Sequence, residues 1–79
     1  MSRNSGIEKV VSSWMRGEFC RAGNIWTDGV FVYSYAMKIA VDLKSEIVIT
    51  PSPGPSVTTS RHINFIARQF PGALRKEIV

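Results

Sequence analysis

The dipeptide Asp28-Gly29 constrains the fold of this chain more than any other feature of its sequence. It separates two runs of strand-forming residues, and Asp-Gly in that position is a strong signal for a tight hairpin turn. The second run, residues 30–35, is almost entirely β-branched or aromatic. Side chains alternate along a strand, so its aromatic residues share the face opposite Val32: Phe31, Tyr33 and Tyr35.

Two further strands are predicted after this hairpin. Residues 37–43 alternate with period two, which places Ile39 and Val41 on one face and Ala40 on the other. Lys44-Ser45 is a turn, and residues 46–50 form the next strand. With the run at 18–27, in which Gly23 marks a bend, the middle of the chain is predicted to be a four-stranded antiparallel sheet.

Helical periodicity is confined to the two ends of the chain. Apolar residues recur at helical spacing from Ile7, which predicts a helix over residues 5–16 that is capped by Asn4 or Ser5 and stopped by Gly17. A second helix is predicted to begin at a cap near Thr58 or Thr59. It ends before Pro71-Gly72.

These elements predict one α+β domain over residues 1–79. An N-terminal helix precedes the four-stranded antiparallel sheet, and the C-terminal helix packs on the same face of that sheet. We expect Trp14, Ile63 and Ile66 to be core residues. A stiff proline-rich connector at residues 51–56 joins the sheet to the last helix.

The aromatic residues of the sheet allow two interpretations. Trp26, Phe31, Tyr33 and Tyr35 would suit an exposed stacking face for single-stranded nucleic acid. The chain has only eight aromatic residues, however, and a domain of this size needs them for its core. We therefore expect most of them to be buried.

Positive charge is concentrated at the two ends of the chain. The net charge is +4, and residues 57–79 carry four basic residues against one acidic residue. This distribution favours an anionic partner such as nucleic acid or an acidic protein face, although it also suits a merely solvated surface. The predicted partner-binding residues are Arg61 and Arg68, seven positions apart on one helical face. Lys38 or Lys44 is added to them if the sheet edge adjoins that face.

No catalytic or metal-binding motif is recognisable. The chain has one cysteine and one histidine, so neither a disulfide nor a clustered metal site is expected. Cys20 and His62 could formally act as a nucleophile and its base. A free cysteine is more often a small buried apolar residue, and we expect that role for Cys20. Hydroxyl residues at the start of the last helix, beside Arg61, would suit either simple capping or an anion. We predict no enzyme activity and no cofactor.

The same features bear on localisation. A lone cysteine fits a reducing compartment, and no segment has the apolar length of a membrane span or the apolar core of a secretion signal. A cytoplasmic protein without a membrane partner is therefore expected.

Several short motifs between residues 24 and 64 resemble a family of small uncharacterised bacteriophage and prophage proteins. The motifs are Asp28-Gly29, Tyr33-Ser34-Tyr35, Ile39-Ala40 and the Ser-x-Thr-Thr-Ser-x-His pattern of residues 56–62. The resemblance implies a phage or mobile-element origin and a bacterial host cell, and it implies no enzymatic activity.

Small single-domain phage proteins without an active site are often inhibitors of host defence, and anti-CRISPR proteins are one such group. The resemblance therefore implies a non-enzymatic protein that binds a host defence complex, for example a CRISPR effector, through a basic surface. Two alternatives stay open: a small nucleic-acid-binding or regulatory protein, and a virion accessory protein that self-associates, with a homodimer as one form.

Overall fold

The computed structural model describes residues 5–51 and 56–78, which form two helices and one six-stranded sheet. Helix α1 spans Ser5–Met15 and helix α2 spans Val57–Gln69. The strands, in chain order, are β1 Cys20–Ala22, β2 Ile25–Thr27, β3 Phe31–Ser34, β4 Met37–Asp42, β5 Ile47–Ile49 and β6 Leu74–Arg75. The predicted α+β class is confirmed, but the predicted count of four strands is wrong.

The strands lie side by side in chain order. Strands β1 to β5 form an antiparallel meander, as predicted, and β6 adds a parallel edge beside β5. The two additional strands have different origins. The bend at Gly23, with φ of 67°, divides the predicted first strand into β1 and β2. Strand β6 has only two residues and forms where the chain after α2 returns to the sheet. A strand this short has no sequence periodicity from which it could be predicted.

The Asp28-Gly29 turn forms as predicted. One carboxylate oxygen of Asp28 accepts hydrogen bonds from the backbone N–H groups of Val30 and Phe31, at 2.9 and 2.8 Å. Gly29 has φ of 101°, and a Cβ atom there would lie 2.6 Å from the carbonyl oxygen of Gly17. Glycine is therefore required both by the turn conformation and by the close approach of the loop that follows α1.

The helix ends differ in part from prediction. Gly17, with φ of 72°, follows α1 as the predicted stop. Ser56, and not Thr58 or Thr59, caps α2: its extended backbone lets its Oγ accept the Thr59 N–H at 3.2 Å. The proposed α1 caps, Asn4 and the Ser5 side chain, and positions 52–55 of the connector lie outside the described residues. In the described part, no helix is long and apolar enough to cross a membrane.

Both helices pack on one face of the sheet, as predicted, and the core lies between the two layers. Trp14, Ile63 and Ile66 are almost completely buried there, which confirms their predicted place. The other buried residues of this core cluster are all aliphatic: Ile7, Val10, Val11, Ile25, Val32, Ile39, Ala40 and Ile49. The indole N–H of Trp14 donates to the carbonyl of Val30 at 2.7 Å, which ties α1 to the start of β3.

A β-bulge in β4 overturns the predicted alternation of that strand. Val32 pairs with Ala40, but the next residue of β3, Tyr33, pairs with Lys38, so Ile39 is an extra residue. Ile39 and Ala40 consequently both belong to the core, whereas the prediction placed them on opposite faces. At a bulge, two residues of one strand lie opposite a single residue of the neighbouring strand. The side chains of the bulged strand then no longer alternate strictly between the two faces of the sheet.

Candidate functional site

The face of the sheet opposite the helices carries a row of aromatic and basic side chains. The register places Arg21 beside Trp26, Trp26 beside Tyr33, and Tyr33 beside Lys38, across four consecutive strands. Paired residues of an antiparallel sheet project to the same side. The row therefore has two aromatic rings in its middle and a cation at each end. We call this surface, together with Phe19 and Phe31, the open face.

The rings of the open face contact one another. Trp26 and Tyr33 stack with centroids 4.0 Å apart and planes 9° apart. Phe19 is tilted against Trp26 at 6.5 Å, and Phe31 against Tyr33 at 6.2 Å. The Nζ of Lys38 lies 4.5 Å from the centroid of Phe31, within the range of a cation–π contact. The result is one continuous cluster, in which Phe19 keeps 68% of its surface exposed.

Hydrogen bonds hold the two stacked rings in place. The indole N–H of Trp26 donates to the carbonyl of Tyr35 at 2.9 Å, and the hydroxyl of Tyr33 donates to Asp28 at 3.4 Å. Burial raises the pKa of the Tyr33 hydroxyl, and the charge of Asp28 raises it further. Burial opposes ionisation of Asp28, but its hydrogen bonds from Phe31 and Val30 prevail, so the pKa of this carboxyl lies below its usual value.

A second row on the open face is mainly aliphatic. Phe31 pairs with Val41, Val41 with Val48, and Val48 with Leu74. Val41 and Val48 are buried within the row, whereas Leu74 is 46% exposed at its end. The middle of this row is therefore closed to solvent, and Leu74 exposes an apolar side chain at the parallel edge strand.

The expectation that most aromatic residues are buried in the core is wrong for the sheet. Among the described residues, Trp14 is the one fully buried aromatic side chain, while Trp26, Phe31 and Tyr33 are partly exposed on the open face. The alternation of residues 30–35 already placed Phe31 and Tyr33 on the face opposite Val32. Because Val32 is buried in the core, Phe31 and Tyr33 lie on the face away from the core. Both helices supply enough aliphatic residues to fill the core without those rings.

The four predicted partner-binding residues do not form one surface. Arg61 and Arg68 are exposed on α2, in the helical layer, where their spacing predicted a shared helical face, and they line the same cavity. Lys38 lies on the open face, on the other side of the sheet. Lys44 lies in the β4–β5 turn and lines a separate groove with Phe70. Sequence spacing could relate the two arginines, but not residues on different elements.

The cavity at the two arginines has a volume of about 480 Å³. It lies between the first turn of α1, the strands β1 and β2, and helix α2. The lining residues are Gly6, Ile7, Ala22, Ile25, Thr58, Arg61, His62 and Arg68. We call this cavity the basic cavity.

His62 joins the basic cavity to a buried chain of hydroxyl groups. Its Nδ1 lies 2.8 Å from Ser34 Oγ, which lies 2.9 Å from Thr59 Oγ1. Ser56 donates to Thr59 Oγ1 at 3.2 Å. Burial, and then the positive charge of Arg61, lower the pKa of His62 below its usual value. The chain fastens the start of α2 to strand β3. Sequence analysis did not find it because Ser34 lies 25 residues before Thr59 and 28 before His62.

This arrangement does not make Ser34 a reactive nucleophile. The Ser34 side chain is fully buried, so no substrate reaches its hydroxyl. Cys20 is partly buried in β1 and packs against the core, as expected, and His62 contacts Ser34 in place of the formally considered Cys20. In the described ranges, no group of three or more His, Cys, Asp or Glu side chains is placed to hold a metal ion.

Comparison with known proteins yields one match. Residues 7–77 match the model of a family of unknown function, DUF8033. No curated protein and no solved structure matches the chain significantly. The match covers most of the chain, including α2, all but the first two residues of α1 and the six strands. The chain is therefore a member of the DUF8033 family.

Proposed function

We propose that this chain is a non-enzymatic binding protein whose open face contacts the surface of a partner protein. The observation that carries the proposal is the cross-strand row Arg21–Trp26–Tyr33–Lys38 on the sheet face that the helices leave uncovered. Tryptophan, tyrosine and arginine are the residue types enriched among the strongest contributors to protein interfaces. An aromatic centre with charged ends also matches the usual division of an interface into an apolar core and a polar rim.

The ring geometry favours a protein over a single-stranded nucleic acid. A nucleobase stacks on the open face of an aromatic ring. Here Trp26 and Tyr33 cover one face of each other. The register places Arg21 on the far side of Trp26 and Lys38 on the far side of Tyr33, and Phe19 is tilted against Trp26. The rings therefore present mainly their edges, which suit contact with side chains better than intercalation of bases.

The charges of the open face favour an acidic partner. Arg21 and Lys38 flank the aromatic pair, and the whole chain carries a net charge of +4. Cations at the rim speed association with an acidic surface and orient the complex. A host defence complex such as a CRISPR effector, the partner class implied by the phage-protein resemblance, stays a prediction that no comparison tests.

Two charge reversals on opposite sides of the sheet test this proposal. The first variant combines Arg21→Glu with Lys38→Glu on the open face. The matched control combines Arg61→Glu with Arg68→Glu in the helical layer, which changes the net charge equally. Tagged protein is used to isolate partners from bacterial host cells with and without nuclease, and the affinity for each recovered partner is then measured with the purified proteins.

We expect a nuclease-resistant complex whose affinity falls about thirtyfold or more in the open-face variant, the effect of losing about 2 kcal/mol at an interface hot spot. The control should retain binding. The opposite pattern, with binding lost only in the Arg61/Arg68 variant, would move the interface to the helical surface favoured by the sequence. Recovery of nucleic acid alone, lost on nuclease treatment, would support the nucleic-acid alternative. Concentration-dependent self-association disrupted by the first variant would assign the open face to a homodimer.

A further inference from the structure

The basic cavity lies apart from the open face and has features of a ligand site of its own. It is bounded by α1, α2 and two strands, and its volume of about 480 Å³ falls within the usual range for small-molecule sites. One side carries the side chains of Arg61, Arg68 and His62. The other side includes Ile7, Ala22 and Ile25, which are apolar.

Helix geometry allows both arginines to reach one anion. Their positions are seven residues apart, which corresponds to nearly two turns and about 10.5 Å along the axis. Both side chains are exposed and line the same cavity, so neither is committed to the core. Each guanidinium offers a planar fork of N–H donors that matches the oxygens of a phosphate group.

His62 contributes one edge of its ring to the cavity. Its Nδ1 is hydrogen-bonded to Ser34 Oγ, which is in turn hydrogen-bonded to Thr59 Oγ1 in the interior. The Nδ1 edge faces Ser34, so the opposite edge of the ring, with Nε2, is left for the cavity that His62 lines.

The positive charge of the cavity comes from the two arginines. His62 is only 6% exposed, and Nδ1 is occupied by Ser34. Every buried side-chain nitrogen or oxygen of the described residues has a hydrogen-bond partner, so the ring adds no orphaned buried atom to the cavity. Arg61 and Arg68 are exposed, and their guanidinium groups are the donors available to an anion there. The amide dipole of the first turn of α1, which also lines the cavity, adds to the positive potential.

We infer that the basic cavity binds the phosphate group of a small phosphate monoester, with Arg61 and Arg68 as donors and the ring of His62 in the cavity wall. A monoester carries up to two negative charges near neutral pH, which two arginines can balance. The apolar wall formed by Ile7, Ala22 and Ile25 would contact the organic part of the ligand. Free inorganic phosphate would accept hydrogen bonds from the same donors but would make no contact with the apolar wall.

The test is an NMR titration of the full chain, at constant ionic strength, with three probes: inorganic phosphate, phenyl phosphate and a short single-stranded oligonucleotide. We expect phenyl phosphate to shift the His62 imidazole signals saturably and to bind more tightly than inorganic phosphate. Arg61→Gln and Arg68→Gln should each weaken that binding about tenfold or more, the effect of losing about 1.4 kcal/mol. Arg16→Gln is the matched control, because it removes one exposed arginine that belongs neither to the basic cavity nor to the open face.

Three results would overturn the inference. Equal loss of affinity in the Arg16→Gln control would mean that phosphate is attracted only by the general positive charge of the protein. Unshifted His62 signals at saturation would remove His62 from the site. Tighter binding of the oligonucleotide than of phenyl phosphate, lost in both cavity variants, would assign the arginines to a nucleic-acid backbone. None of these results depends on whether the open face binds a protein.

Discussion

The two faces of the sheet differ in chemistry although the same strands build them. The covered face is aliphatic, with Val32, Ala40 and Ile49 packed beneath the helices. The open face carries Trp26, Tyr33 and Phe31 instead. Aliphatic residues fill a small core efficiently and leave no polar atom to satisfy, whereas Trp and Tyr need a hydrogen-bond partner when buried. Large rings at the surface of a small domain are thus available for recognition.

The same comparison separates two kinds of polar contact. On the covered face, Ser34, Thr59 and His62 form a buried hydroxyl–imidazole chain. On the open face, the Tyr33 hydroxyl and the Asp28 carboxylate meet at the surface. A buried polar chain is costly to break because its remaining members lose both partner and solvent. Exposed pairs can exchange their partner for water.

The largest effect should come from truncating the covered layer. Ile66 is fully buried at the core, so Ile66→Ala should lower the free energy of unfolding by about 2–5 kcal/mol. Phe19→Ala, which truncates a mostly exposed ring, is the control and should change stability by about 0.5 kcal/mol or less. Urea unfolding followed by fluorescence measures both. Equal losses would mean that the open face contributes to stability as the core does, and the contrast between the faces would fail.

A smaller loss is expected from the buried polar chain. Ser34→Ala removes the hydroxyl that contacts both Thr59 and Nδ1 of His62, and it should cost about 1–3 kcal/mol in the free energy of unfolding. Ser45→Ala, in the exposed β4–β5 turn, is the matched control. An unchanged stability in Ser34→Ala would show that the chain does not fasten α2 to the sheet.

The smallest effect concerns the stacked pair on the open face. A double-mutant cycle with Trp26→Ala and Tyr33→Ala should give a coupling free energy of about 0.5–1.5 kcal/mol, the usual range for an aromatic pair. Denaturant unfolding of the two single variants and the double variant measures it. A coupling near zero would mean that the rings do not stabilise each other, and the argument that their faces are already occupied would lose its basis.

Sequence patterns located most of the elements because local physics decides them. The Asp28-Gly29 turn, the stop at Gly17 and the helical periodicity around Trp14 depend on residues close in the chain, and each was found in the structure. The pairing of Arg61 with Arg68 was accessible for the same reason, since a helix relates residues at a fixed spacing.

Tertiary structure alone decided what lies next to those elements. The bulge at Ile39 and the two-residue strand β6 depend on pairing with distant segments. The contact of Ser34 with His62, the division of the four predicted partner-binding residues, and the exposure of Trp26 and Tyr33 depend on which side of the sheet the helices cover. Local patterning states that a strand has two different faces. Only the packing of distant elements determines which face is buried and which is free to bind.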